Sequence, residues 1–253
     1  MKKFLLIANW KNKPISEEEA MVLLRKLAKK KALYKKLNTI ITPPWTHYSL
    51  REKIRSFASL ASQDIFLDSG KVQTGAITAD ILKNFGVRYV ILGHSERRAA
   101  GETSSKVAKK ARLSVENGII PIICIGESVR DEEGEHFEFL REELRVSLEG
   151  MRREDVRGVV IAYEPIWAIG KRAKDAITAQ NLSEIVIFIK KILSDAYGRE
   201  TAEKTTLVYG GSVEPRNAAE FVRQTRVNGF LVGHASLDAD SFNEIAAEII
   251  NQD

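Results

Sequence analysis

The sequence predicts an α/β chain folded as a (β/α)8 barrel in a single domain spanning residues 1–253, and three observations predict it. Short apolar runs of the buried-strand kind recur along the chain, at Phe4–Ala8, Thr39–Thr42, Ser59–Ser62, Tyr89–Leu92, Ile119–Ile125, Val159–Tyr163, Leu207–Tyr209 and Gly229–Val232. A longer amphipathic or charged stretch of helical character follows each run, and no Pro/Gly/Ser linker or low-complexity tract breaks the alternation. Polar residues, finally, stand where apolar runs end. Eight strands alternating with helices close most simply into a parallel barrel with the helices outside; a doubly wound sheet is the second fold compatible with the pattern.

Each element follows from local chemistry. The first run comes after Lys2-Lys3 and imitates the start of a secretion signal, but Asn9, Trp10 and Lys11 interrupt it, so it reads as a first buried strand. From Glu17 to Lys30 the spacing places Ala20, Leu23, Leu24, Leu27 and Ala28 on one helical face, with Ser16 as the N-cap. Glu138–Leu148 and Leu182–Leu193 read as core-facing helices in the same way.

Composition narrows the function. With 44% hydrophobic residues among 253, the chain can bury a sizeable core. The formal charge of +5 arises from 39 Lys/Arg interleaved with 34 Asp/Glu, as in Glu142-Glu143-Leu144-Arg145. That pattern describes solvated helix faces, not a basic patch, and argues against a nucleic-acid partner. No apolar stretch approaches the roughly 20 residues of a membrane helix, so no membrane partner is expected. A single cysteine, Cys124, excludes a disulfide within the chain and fits a cytoplasmic, reducing setting.

In a parallel barrel the carboxyl ends of all strands open on one face, so Asn9, Lys11, His94, Glu164 and Gly210-Gly211-Ser212 converge there despite their separation in sequence. Glu164 follows a buried run; taken alone it reads as an ordinary strand-end carboxylate, although an apolar, closed surrounding would make it more basic. His94 ends the fourth run, and Ser95-Glu96 opens a helix whose positive end disfavours an imidazolium; a neutral ring could donate a hydrogen bond to a substrate oxygen. His47 and His136 sit among polar or charged neighbours and read as surface residues. No clustered His/Cys/Asp/Glu pattern suggests a metal, and no Gly-x-Gly-x-x-Gly follows a strand to suggest a dinucleotide, so no cofactor is expected.

Six short motifs also resemble, in order from the first strand to the eighth, those of the triose-phosphate isomerase family. They are Asn9-Trp10-Lys11, Gly93-His94-Ser95-Glu96-Arg97-Arg98, Cys124-Ile125-Gly126-Glu127, Ala162 through Gly170, Tyr209-Gly210-Gly211-Ser212-Val213 and Gly229-Phe230-Leu231-Val232-Gly233. The resemblance covers the whole chain. It implies a cofactor-free isomerase acting on triose phosphates, with Glu164 as base, His94 as electrophile, Lys11 as a fixed cation paired with Glu96, and Asn9 on the substrate oxygens. Gly211, Ser212, Gly233 and His234 would then bind the phosphate through backbone amides, as glycine-rich turns after the last two strands of such barrels do. Pro165, Ile166, Trp167, Ala168 and Ile169 resemble the first half of a lid whose tip is Gly170. Thr74, in Gln73-Thr74-Gly75, resembles the tip of a loop that enters a second subunit, which implies a homodimer. Another phosphate-handling barrel enzyme and a non-catalytic descendant are the alternatives, and the intact Asn9, Lys11, His94 and Glu164 speak against both.

The sequence departs from the family pattern at several points. Lys171–Ala176 differs from the usual second half of the lid and is longer; Ala76 stands where a glutamate is usual, near Arg97. Asp64 replaces an asparagine after Gln63, Asn228 replaces an aspartate, and His234 replaces a glycine beside the expected phosphate. A helical backbone at His234 is the expectation, since it would let a side chain be carried there without strain.

Overall fold

In the computed structural model, which describes residues 3–67, 73–131, 133–169 and 177–252, eight parallel strands close into a barrel in sequence order. They are β1 (Leu5–Asn9), β2 (Asn38–Thr42), β3 (Ser59–Ser62), β4 (Tyr89–Leu92), β5 (Ile120–Ile125), β6 (Val160–Tyr163), β7 (Thr206–Tyr209) and β8 (Gly229–Val232). Closure is made by β1 lying between β2 and β8: Leu5 pairs with Asn38 on one side and with Gly229 on the other. All eight expected runs become strands. Asn9 belongs to β1 rather than to the loop after it, because it still pairs with Thr42.

The strands read as continuous apolar runs because both faces are buried. Leu5, Ile7, Ile40, Ala61, Ile91, Ile122, Cys124, Val160, Ala162, Val208 and Leu231 form one cluster. Their alternate neighbours, among them Leu6, Ala8, Ile41, Leu60, Val90, Ile123, Ile161, Leu207 and Phe230, join the larger cluster with the helices. The period-two geometry of a strand separates these two sets, one filling the barrel and one packing outward.

Helices supply the outer layer. The helix Glu17–Ala28 buries Ala20, Leu23, Leu24 and Leu27 and is capped by the Ser16 side chain, which accepts from the Glu19 amide. Ala28 lies at the margin of that face, only partly buried. Glu135–Ser147 begins before the expected helix and ends one residue short of Leu148, while Ala179–Tyr197 extends its expected helix at both ends. Among the described residues, no helix is long and apolar enough to cross a membrane.

Two histidines correct the sequence reading. His47 is 2% exposed and His136 6% exposed, so neither is a surface residue. His47 lies on a 3-10 turn, Trp45–Leu50, and its Nε2 is 2.7 Å from the Pro14 carbonyl. His136 lies in the first turn of the Glu135–Ser147 helix, where its Nδ1 is 3.1 Å from Asp131 Oδ2. For His136 the charged neighbour that suggested solvent is instead a partner that permits burial, and for His47 the partner comes from a distant part of the chain.

Candidate active site

The ends of β1, β4, β6, β7 and β8 surround a cavity of about 430 Å³, whose lining includes Asn9, Lys11, His94, Glu164, Gly211 and Gly233. Ile169, Gly210, Ser212 and His234 line it as well. A volume of this order suits a small ligand.

Lys11 lies two residues beyond the end of β1 and has φ 52°, the one positive value at a non-glycine among the described residues. That conformation costs on the order of 1–3 kcal/mol, so its surroundings must hold it. Its amide donates to Asn9 Oδ1 at 3.0 Å, and Gln63 Nε2 donates to its carbonyl at 2.6 Å. Its ammonium meets Glu96 Oε1 at 2.6 Å. The cation is thus fixed at backbone and side chain alike, although Glu96 itself is largely exposed.

His94 caps the short helix Ser95–Ala99, with its Nδ1 accepting from the Glu96 amide at 3.3 Å. An acceptor at Nδ1 carries no proton, so the neutral ring bears its hydrogen on Nε2. That nitrogen faces Glu164, 3.6 Å from Oε1. The other oxygen of Glu164, Oε2, accepts from the Ser95 amide at 3.4 Å.

Glu164 is 2% exposed. Two glycines make room for it. A Cβ on Gly126 would lie 1.8 Å from the Glu164 carbonyl oxygen, and one on Gly210 would lie 2.7 Å from its Cγ. The Cys124 thiol packs against the same carboxylate; burial pushes that thiol well up, and the adjacent Glu164 adds to the shift. Beneath them, Glu143 accepts from the Gly126 amide at 2.8 Å and meets Arg98 at 3.2 Å. Burial raises the Glu143 carboxyl against the pull of Arg98.

On the far side, the turn after β7 and the turn after β8 bound the cavity. His234 opens a 3-10 turn, His234–Leu237, and does not have positive φ. A side chain is therefore carried there without strain, as expected. Pro165 precedes another 3-10 turn, Ile166–Ala168, which is tied down twice: Trp167 Nε1 donates to Glu127 Oε1 at 2.8 Å, and Ser212 Oγ donates to the Ala168 carbonyl at 2.9 Å. Gly170, expected at the lid tip, and Lys171–Ala176 lie outside the described residues. Thr74 is exposed, beside Gly75 with φ 79°.

Sequence comparison agrees with the fold. The family model described as triosephosphate isomerase matches residues 4–249. The chain belongs to the triosephosphate isomerase family. A triosephosphate isomerase of Moorella thermoacetica is 38% identical to it, with all of each chain covered. One from Thermoanaerobacter sp. (strain X514) is 37% identical over 97% of this chain and 99% of its own. One from Dictyoglomus thermophilum is 36% identical, covering 96% and 98%.

Within this triosephosphate isomerase family member, the structure brings together Asn9, Lys11, His94, Ser95, Glu96 and Glu164 from three strand ends. Sequence reasoning missed two supports. Gln63 braces the Lys11 carbonyl and also donates to the Thr42 carbonyl at 3.1 Å. Glu127, noticed only as part of a motif, accepts from both Trp167 Nε1 and the Tyr163 hydroxyl, each at 2.8 Å. A carboxylate two residues past a buried strand, as in Cys124-Ile125-Gly126-Glu127, is the signal that could have found the second.

Proposed function

We propose that the chain interconverts dihydroxyacetone phosphate and D-glyceraldehyde 3-phosphate through an enediolate, with Glu164 as the base. The observation that carries this reading is the placement of Glu164 beside the proton-bearing Nε2 of His94, in a cavity that also holds Lys11 and ends in two turns suited to an anion. The reaction takes a proton from one substrate carbon and returns it to the neighbouring carbon, while a second proton passes between their oxygens. No electrons leave the substrate, so the balance needs no cofactor.

Each group has a role in that balance. The Glu164 carboxylate leaves the Ser95 amide, takes the carbon-bound proton and delivers it to the adjacent carbon. His94 Nε2–H donates to the oxygen on which charge grows, and Lys11 stabilises that charge as a cation fixed before the reaction starts. Asn9 holds the Lys11 backbone and borders the same oxygens. Backbone amides at Gly211, Ser212, Gly233 and His234 grip the phosphate, where glycine lets the chain approach closely. Pro165, Ile166, Trp167, Ala168 and Ile169 form the first part of a lid over the bound substrate, which excludes water from the enediolate.

The same reading makes residues 1–253 one barrel domain that works in the cytoplasm as a homodimer, with the exposed Thr74 tip seated on a second copy. A coupled assay on purified protein, with contaminating host isomerase excluded by a Glu164→Ala preparation made in parallel, tests the activity. Equal rates in the two preparations would overturn it. Light scattering tests the assembly: a fully active monomer would remove the role given to Thr74.

A further inference from the structure

Asp64, in the loop directly after β3, does not line the catalytic cavity. It borders a separate space of about 340 Å³ together with Gln63 and Arg97. Both of its oxygens are nonetheless engaged, one directly with the segment that carries His94 and the other with Lys110, which leads back to that segment. Oδ2 accepts from Arg97 Nη2 at 2.6 Å, and Oδ1 accepts from Lys110 Nζ at 2.6 Å and from the Ile65 amide at 2.8 Å. Lys110 donates in turn to Glu102 Oε1, and Glu102 Oε2 accepts from the Gly93 amide at 2.9 Å. The Glu102 amide closes the segment on the Arg97 carbonyl at 3.0 Å.

The ladder therefore grips residues 93–102 at both ends, and His94, Ser95 and Glu96 lie between the grips. It holds two anions, Asp64 and Glu102, against two cations, Arg97 and Lys110. Burial decides which rung matters. The Arg97 side chain is 50% exposed, and a pair so open to solvent contributes little. Lys110 is 8% exposed and Glu102 5%, so the Lys110 ammonium depends on its anions, and removal of one leaves it short of compensating charge in a poorly solvated place.

We infer that Asp64 is a positioning residue for catalysis, which sets the His94 turn by completing the charge of the Arg97–Lys110–Glu102 ladder. The dipeptide Gln63-Asp64 then braces two parts of the site from one loop: Gln63 fixes Lys11 and Asp64 fixes the His94 segment. An asparagine at 64 has the shape of aspartate but can present a single acceptor oxygen, and its amide nitrogen would face either Arg97 or Lys110, donor against donor. A glutamate keeps the charge.

The inference rests on the isomerase reading for its kinetic arm and has a second arm that does not. In Asp64→Asn, kcat should fall about 5- to 20-fold with KM within about twofold, because the His94 proton donor shifts while the phosphate turns stay put. Asp64→Glu should recover most of the loss. Imidazole nitrogen chemical shifts of His94, assigned with a His94→Gln control, should move in Asp64→Asn and return toward the parent in Asp64→Glu. A variant that loses thermal stability but keeps both kcat and the His94 shifts would reduce Asp64 to a structural role and overturn the inference. An inactive parent would sink the isomerase reading alone, since the His94 shifts still test the positioning.

Discussion

His94 Nε2 and Glu164 Oε1 stand 3.6 Å apart, just beyond hydrogen-bond reach, while Glu164 Oε2 rests on the Ser95 amide at 3.4 Å. The Glu164 carboxylate is thus held loosely by the helix that His94 caps, and the space both groups face is where a substrate carbon and its oxygen would lie in the proposed reaction. Neither group is locked to the other.

That looseness makes reach the sensitive variable. Glu164→Asp withdraws the carboxylate by one methylene without touching the turns after β7 and β8, so turnover should drop by about 10²-fold or more while KM changes little. Steady-state coupled kinetics on both proteins check this. Equal turnover would mean that Glu164 is not the base.

Glu127 should be a stability residue with a kinetic consequence. It accepts from the buried Tyr163 hydroxyl and from Trp167 Nε1 through a single oxygen. Burial, and then the charge of Glu127, push the Tyr163 hydroxyl far up, so it stays a proton donor. Glu127→Leu leaves that donor unsatisfied, at a cost of about 1–3 kcal/mol, and frees the Ile166–Ala168 turn that is proposed to begin the lid. Urea unfolding reads the first effect; an unchanged midpoint would show that the hydroxyl finds another acceptor.

The link between Asp131 and His136 gives stability a pH dependence. Burial alone would raise the Asp131 carboxyl, but amides of Glu135 and His136 and the His136 ring outweigh it and bring it from 3.8 down to about 2. A depressed carboxyl contributes stability above its unfolded value and loses that contribution as pH falls through its folded value. Asp131→Ala should therefore lower the thermal midpoint near neutrality, with the gap from the parent closing between about pH 4 and pH 2. A gap that stays constant across that window would mean the capping is not ionic.

His234 presents the prediction most particular to this chain. Its backbone sits in a 3-10 turn and its side chain is exposed at the edge of the cavity. His234→Gly should leave turnover within about twofold, because the backbone amide proposed to grip the phosphate remains, and should slightly weaken inhibition by phosphate-bearing analogues at acidic pH. Collapse of turnover, or tighter inhibition at low pH, would show that the imidazole has a different role.

Much of this molecule could be read from its sequence, and the reasons differ by level. The eight strands were legible because burial on both faces gives each a short, mostly apolar run, and Lys11, His94 and Glu164 were legible because each stands just beyond such a run. The left-handed backbone of Lys11 was not: nothing in the tripeptide Asn9-Trp10-Lys11 encodes the brace from Gln63, which arrives from a different strand. The burial of His47 was missed for the same reason, since Pro14 is a neighbour only in space; that of His136 was missed because a nearby carboxylate, Asp131, was read as a sign of solvent and not as a partner. Asp64 was visible as an unusual residue, but the two cations it joins become neighbours only when β3 and β4 pair.

The closure of β1 between β2 and β8 bears on how the protein is made. Leu5 finds Gly229 only after nearly the whole chain has left the ribosome, so for most of synthesis the first strand has one neighbour and an open row of amides and carbonyls along its other side. Such a bare edge invites pairing with other nascent chains. Loss of the last strand would therefore be far more damaging than its four residues suggest: it would leave two apolar strands, from opposite ends of the chain, permanently uncovered.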